Sequence, residues 1–199
     1  RYQGTMAYDA SGIDHWYEPG LVRLPDGRLL GLLHNRRFPV HAEPGEQMAP
    51  PAGYFLTTIS EDDGISWSAP KGTRIWGYPL DAELLPHLDG AVLAAYSHRT
   101  KPAGVRVAVS PDGGRWSQED VFTITPHYDP SKVAPAVQTW TGDPARPERL
   151  DPTAIVGFHI GYPSSAVLDD GSVLTAYHLY NRTGRQYVEC AIYRVVHRR

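Results

Sequence analysis

The fold is decided by a stretch that spans residues 17–30 and reads YEPGLVRLPDGRLL. A tyrosine near a proline opens it, and an Asp-Gly pair separates two apolar runs. The same order of residues returns at 78–93 (YPLDAELLPHLDGAVL) and at 162–174 (YPSSAVLDDGSVL). An Asp-Gly pair between apolar runs is a strong signal for a β-hairpin, since both central residues of a type I′ turn need positive φ. The repeat therefore predicts three hairpins.

Each hairpin is followed by a third segment rich in apolar, β-branched and aromatic residues, which favours another strand. These segments span 54–59, 105–109 and 187–195. Two of them run into related turns, SEDDGISW at 60–67 and SPDGGRW at 110–116. In each turn we expect the aspartate to bond the backbone after it, the glycine to accept positive φ and the tryptophan to pack beneath the loop. The role predicted for these turns is structural.

The repeat predicts an all-β chain, because no segment shows a long apolar period of 3.6 residues with caps. Units of roughly 40 to 50 residues with three or four antiparallel strands are typical of propeller blades. We therefore expect one partial propeller with blades at 1–67, 68–116 and 117–199. The last blade contains a Pro-rich insertion at 118–156, and a second insertion, 38–51, interrupts the first blade. Both insertions are candidate walls of a site.

Composition narrows the classes of partner. The chain has 199 residues, 19 basic and 22 acidic side chains and a formal net charge of −3, which gives no basic field for nucleic acid. No apolar run approaches the ~20 residues of a membrane span, so no membrane partner is expected. The single cysteine, Cys190, excludes an internal disulfide and a cysteine-based zinc site, and we expect it to be buried. Neither a metal nor a cofactor is predicted.

Several of these segments resemble the sialidase (neuraminidase) family of β-propellers. The turn at 60–67 resembles the Asp-box of bacterial neuraminidase repeats (BNR repeats), and 110–116 resembles a shortened copy. LAAYSHR at 93–99 and GYPSS at 161–165 are also similar to sialidase-like propellers.

This resemblance implies a six-bladed ring and an exo-sialidase-type glycoside hydrolase that acts on an acidic sugar or glycan. Family members are about twice as long as this chain, and their opening blade, with its first arginine and its acid/base aspartate loop, has no counterpart here. The resemblance therefore implies the C-terminal half of a propeller, with the ring completed by further blades or by a homo-oligomer.

Sialidases use a tyrosine nucleophile activated by a carboxylate. By resemblance Tyr162 takes the place of that nucleophile, and Glu18 and Glu83, on what should be the innermost strands, are the candidate carboxylates. A competing interpretation is that Tyr162 only packs, because Tyr17 and Tyr78 stand at similar places in the other repeats.

The sugar carboxylate would be held by arginines, whose planar guanidinium groups bind it in a bidentate way. Arg36 and Arg99 each follow their hairpin aspartate by ten residues, so they should end their strands at the same rim. Arg106 should point to the core or channel side of the next strand. We expect His98 to contact sugar hydroxyls and Trp140 to form a ligand wall.

Two other functions stay open at this stage. The first is a non-catalytic glycan-binding or scaffold propeller, which the absent acid/base loop favours. The second is a lyase for acidic sugars that uses a Tyr and His pair for proton transfer. The sugar, its linkage and the cellular compartment are not fixed by these residues, since a chain without disulfides fits the bacterial cytoplasm and export alike.

Overall fold

The computed structural model describes residues 4–10, 14–37, 54–76, 79–86, 90–98, 103–129, 160–183 and 185–195. Within these residues the chain forms eleven strands and one short 3-10 turn, Gln118–Asp120. The strands are β1 (Asp14–Arg23), β2 (Leu29–Arg37), β3 (Tyr54–Ser60), β4 (Lys71–Trp76), β5 (Pro79–Pro86), β6 (Val92–His98), β7 (Gly104–Ser110), β8 (Val121–Thr123), β9 (Gly161–Val167), β10 (Val173–Tyr180) and β11 (Gln186–Tyr193). The predicted all-β class is confirmed.

The strands pair antiparallel in three sheets, ordered β1-β2-β3-β4, β5-β6-β7-β8 and β9-β10-β11. Strand β1 contacts β5, and β5 contacts β9, so the first strands form the inner edge of an arc of three blades. The first two sheets extend beyond the expected ends at Trp67 and Trp116, because the short strands β4 and β8 add a fourth strand to each. The third sheet has three strands among the described residues.

The hairpin turns differ from the predicted type I′ geometry. The Gly27 amide donates to the Leu24 carbonyl (2.9 Å) and the Leu24 amide donates to the Arg28 carbonyl (2.8 Å), while Gly27 has a φ of 91°. Residues 168–172 repeat these two bonds. The loop is therefore a type I turn followed by a left-handed glycine. In the first copy Pro25 explains the difference, since its ring fixes a negative φ at the first central position.

The two Asp-containing turns have the expected structural chemistry. Asp62 Oδ1 accepts from the Ser66 amide at 2.8 Å, and Trp67 Nε1 donates to the carbonyl of the turn glycine at 3.2 Å. Asp112 Oδ1 accepts from two backbone amides, both at 2.8 Å, and Trp116 Nε1 donates to its turn glycine at 3.0 Å. The pKa of Asp62 is held below its usual value by hydrogen bonds from the Ser66 hydroxyl and amide, and that of Asp112 by the bonds from the Arg115 and Gly114 amides.

The core lies between the sheets. Strand β6 is buried on both faces: Val92, Ala94 and Tyr96 pack against the first sheet, whereas Leu93 and Ala95 pack against the third. Blades stacked in this way bury an apolar layer at each junction. The second sheet is thereby fixed between its two neighbours.

The prediction for Cys190 is wrong. Its side chain is exposed, because it lies on the face of β11 that points away from the second sheet. The residues before and after it along the strand, Glu189 and Ala191, are half-buried.

Candidate functional site

The inner strand of every blade carries a bulge at the same place. In β1, Tyr17 lies opposite His34 and Gly20 opposite Leu32, so residues 18 and 19 face one residue of β2. Strand β5 shifts register between Leu80 and Glu83, and the pairing of β9 with β10 shifts between Gly161 and Ser164. Bulges re-aim side chains and are frequent near active sites.

Register therefore aligns Glu18, Asp81 and Tyr162, one residue on each inner strand. Tyr17 corresponds to Gly161 instead, although the order of residues in the repeat suggested that it corresponds to Tyr162. The packing interpretation of Tyr162 loses its main argument, since its counterparts in the other blades are acidic residues.

Glu18 and Tyr162 share an uncommon backbone conformation. Their φ values are 49° and 46°, and Asp63 is the one further non-glycine residue with positive φ in the described part of the chain. For a residue with a Cβ atom this conformation costs about 1–2 kcal/mol. Such strain persists where the surrounding structure enforces it, and it is concentrated at functional sites.

The Tyr162 side chain is accessible and has a defined neighbour. Tyr162 is 57% exposed. Its ring stacks on the His178 ring, with the ring centroids 5.3 Å apart and an angle of 18° between the ring planes. Stacking fixes the ring while it leaves the residue open to solvent.

The first blade holds a histidine at the corresponding place. His34 aligns with His178 by register, and its Nδ1 lies 3.7 Å from Glu18 Oε2. His34 is buried, whereas the Glu18 side chain is 38% exposed. Each of these two bulge residues is thus placed against a histidine of the second strand.

Arg106 and His98 lie together at the junction of the first and second sheets. Arg106 is opposite Tyr96 in the ladder, and the Tyr96 and His98 rings are 6.4 Å apart. Burial, with a smaller contribution from the Arg106 charge, lowers the pKa of His98 to about 3, so this histidine is neutral at pH 7. Burial also raises the pKa of Tyr96 and lowers that of Arg106. The Arg106 guanidinium group therefore lies in a partly buried environment, which disfavours its charged form.

The other predicted residues lie wholly or partly outside the described residues. The backbones of Arg36 and Glu83 belong to β2 and β5, but their side chains are outside the described part of the chain. Arg99 and Trp140 lie outside it entirely. Their roles stay predictions.

An open cavity of about 260 Å³ lies beside the bulge of the first blade, and the two chain neighbours of Glu18 are among its walls. It lies between the N-terminal segment and the inner strand β1, and its walls are formed by Met6, Ala7, Trp16, Tyr17, Pro19 and Leu33. Trp16 gives this wall an aromatic side chain of the kind that stacks on sugar rings.

A polar cluster between the second and third blades was not predicted from the sequence. Tyr177 donates to Glu189 Oε1 at 2.8 Å, and His127 Nε2 lies 2.9 Å from the same oxygen. Tyr177 is only 2% exposed, whereas the His127 side chain is 53% exposed, so the cluster joins the second and third blades and opens to solvent at His127. Knowledge of the β10–β11 register would have predicted the contact of Tyr177 with Glu189, because these two residues are ladder partners.

Within the described ranges, no group of three or more His, Cys, Asp or Glu side chains is arranged to hold a metal ion. None of the helical structure described there is long and apolar enough to cross a membrane.

No family model matches the sequence, and no curated protein matches it. Among solved structures, a protein of unknown function from Dyadobacter fermentans superposes with a TM-score of 0.65 at 17% identity over 96% of this chain. An endo-arabinase from Bacteroides thetaiotaomicron gives 0.56 at 13% identity over 93%, and a Hadza microbial sialidase gives 0.54 at 17% identity over 89%.

These similarities show the fold alone, an arc of three β-propeller blades. The chain spans 41%, 59% and 35% of those three proteins in the order named, which is less than two thirds of each.

Proposed function

We propose that this chain forms part of a glycoside hydrolase that acts on an acidic sugar of the sialic acid type, with Tyr162 as nucleophile. The observation that carries the proposal is the pair Glu18 and Tyr162, two strained and accessible residues at corresponding bulges of inner strands. The fold of the superposed enzymes supports a carbohydrate substrate, and the arginines support an acidic one.

A tyrosine suits this substrate for an electrostatic reason. The sugar carries its own carboxylate beside the reacting carbon, and a neutral phenol approaches it without the repulsion that a carboxylate nucleophile would meet. In the first step Tyr162 Oη bonds to the anomeric carbon, the bond to the leaving oxygen breaks, and Glu18 accepts the phenol proton. Glu83 is the second candidate for that role. A proton donor outside the described residues protonates the leaving oxygen, and water then releases the sugar.

Substrate binding is assigned to Arg36, Arg99 and Arg106, whose guanidinium groups would hold the sugar carboxylate. His98, neutral at pH 7, would donate to or accept from sugar hydroxyls. Trp140 would form part of the wall.

The test is hydrolysis of a fluorogenic sialoside, with a fluorogenic arabinoside as the neutral comparison. We expect Tyr162→Phe to lower kcat by at least about a thousandfold, since it removes the attacking oxygen. Tyr177→Phe, at a buried tyrosine on the face of β10 opposite to His178, serves as the matched control and should keep most of the rate. Equal rates for Tyr162→Phe and the unchanged protein would reject the nucleophile.

A non-catalytic glycan-binding function is the second candidate, because the exposed stack of Tyr162 on His178 also offers an aromatic face to a sugar ring. Calorimetric binding of a sialoside without release of its fluorophore would favour it. A lyase would use the same two residues for proton transfer, and it would release an unsaturated sugar in place of a hydrolysed one.

A further inference from the structure

The bulge in β9 decides which face of the third sheet Tyr162 occupies. Successive residues of a regular strand point to opposite faces. Gly161 is the ladder partner of His178, so in a regular strand Tyr162 would share the face of Tyr177 instead. That face packs against the second sheet, and Tyr177 is buried there. The bulge, with a φ of 46° at Tyr162, turns the phenol to the face of His178, where the two rings stack.

The backbone at Tyr162 is held from both sides. Gly161 and Pro163 are buried, whereas Tyr162 between them is 57% exposed. Gly161 also lies so close to the second blade that an added Cβ atom would overlap the Cβ atom of Ser97. The main chain therefore has little freedom, and the position of the phenol depends on the two side-chain torsions, χ1 and χ2. The stack on His178, with ring centroids 5.3 Å apart, restricts both torsions.

The geometry of the stack separates positioning from proton transfer. The ring planes of Tyr162 and His178 are 18° apart. The lone pair and the N–H bond of an imidazole lie in the plane of its ring, so nearly parallel rings do not direct them at the phenol oxygen. His178 is therefore poorly placed to take the phenol proton, as a lyase would require. What the contact supplies is a fixed orientation of the phenol ring.

The corresponding position of the first blade also holds a histidine. His34 corresponds to His178 by register, and His34 Nδ1 lies 3.7 Å from Glu18 Oε2. In both blades the histidine thus lies against the bulge residue of its own sheet. The second blade has Ser97 at this position, and its small side chain lets Gly161 pack closely against it. The recurrence in two blades connects the histidine with the bulge residue.

We propose that His178 is a positioning residue for the nucleophile: its ring holds the Tyr162 phenol in the orientation from which Tyr162 Oη attacks. This inference rests on the proposed function. A misplacement of ~1 Å in a reacting atom can lower a rate by about a hundredfold. The stack acts on the orientation of the nucleophile and not on the affinity for substrate, so its loss should lower kcat and leave KM nearly unchanged.

The test compares two substitutions of His178 in the hydrolysis of the fluorogenic sialoside. His178→Ala removes the stack, and we expect it to lower kcat by at least about tenfold, with KM within about twofold of the unchanged protein. His178→Phe keeps an aromatic ring without the imidazole nitrogens, and kcat should stay within about threefold. His127→Ala, at a solvent-accessible histidine outside the site, is the matched control and should keep the original rate.

A spectroscopic measurement reports on the stack without any substrate. In protein with ¹³C-labelled tyrosine rings, the signal that disappears in Tyr162→Phe belongs to the Tyr162 ring. The ring current of the imidazole shifts the protons of the phenol stacked on it. We expect His178→Ala to remove this shift, whereas His178→Phe should preserve a shift of the same sign.

Four results would overturn the role of His178 and leave the proposed function standing. Full kcat in His178→Ala would show that Tyr162 needs no support. An equal loss of kcat in both variants would show that the imidazole nitrogens matter and the ring does not. A rise in KM at constant kcat would make His178 a substrate contact. Tyr162 ring protons that do not respond to His178→Ala would show that the stack is absent in solution.

The unchanged protein separates this inference from the proposal beneath it. If it hydrolyses no sialoside, the proposed function is rejected, and the positioning role of His178 is rejected with it. Hydrolysis that Tyr162→Phe abolishes but His178→Ala leaves intact would reject the positioning role alone.

Discussion

Substituting Gly161 by alanine should destabilise the protein through the junction of the second and third blades. Gly161 has a φ of 111°, and a Cβ atom placed on it would overlap the Cβ atom of Ser97. The backbone conformation costs about 1–2 kcal/mol for a residue with a Cβ atom. Relieving the overlap in a packed interior costs roughly 1–3 kcal/mol more. We therefore expect a loss of about 2–5 kcal/mol in the free energy of unfolding.

The two parts of this cost can be separated. Gly27→Ala has a comparable φ of 91° but no atom within 4 Å of the added Cβ, so it should cost only the backbone part. Ser97→Gly removes the overlapping atom, so the double variant with Gly161→Ala should recover the steric part as a coupling energy of about 1–3 kcal/mol.

Urea unfolding at 25 °C measures the free energy of unfolding of each protein. The set comprises the unchanged protein, Gly161→Ala, Ser97→Gly, the double variant and Gly27→Ala. The reasoning fails if Gly161→Ala costs no more than Gly27→Ala, or if Ser97→Gly gives no recovery. Either result would mean that the blades adjust their separation without cost.

The remaining predictions concern titration and the contact of Tyr177 with Glu189. The pKa of His98 is held at about 3 while an unfolded histidine has ~6.5, so the unfolded chain takes up the proton first and stability falls as the pH drops between these values. His98→Gln should flatten the decline in the urea midpoint between pH 7 and pH 4. The pKa of Asp112 is lowered by backbone hydrogen bonds, so its contribution is lost as the pH falls below the usual ~3.9. Asp112→Asn should accordingly reduce the loss of thermal stability between pH 5 and pH 3, and an unaltered slope would contradict the assignment. Tyr177→Phe removes the bond to Glu189 and should cost about 1 kcal/mol in unfolding experiments, with no change expected if the bond is absent in solution.

The strands, the hairpins and the Asp-containing turns could be predicted because their causes are local. Alternating apolar runs and the Asp62 and Asp112 turns act over a few residues of sequence, and the structure confirms the all-β class from them. The turn type was wrong at Gly27, where Pro25 constrains the preceding position. Cys190 was predicted to be buried because free cysteine is among the most often buried residue types, whereas its exposure depends on what covers the sheet.

The site was harder to predict because it depends on register. Aligning the repeats on Tyr and Pro sets Tyr162 beside Tyr17, and only the bulge shows that Glu18 is its true counterpart. The contact of Tyr177 with Glu189 likewise requires knowledge of which residues face each other across two strands. Pairing between strands is a property of the assembled sheet, so composition and short motifs cannot supply it.

The bulge shared by the inner strands fixes the backbone conformation at one position but leaves the type of side chain free. Its backbone shape is the same whether the side chain is the carboxylate of Glu18 or the phenol of Tyr162, so one substitution exchanges a carboxylate for a phenol without rebuilding a strand. A scaffold of this kind can present a different functional group at the corresponding bulge of each blade.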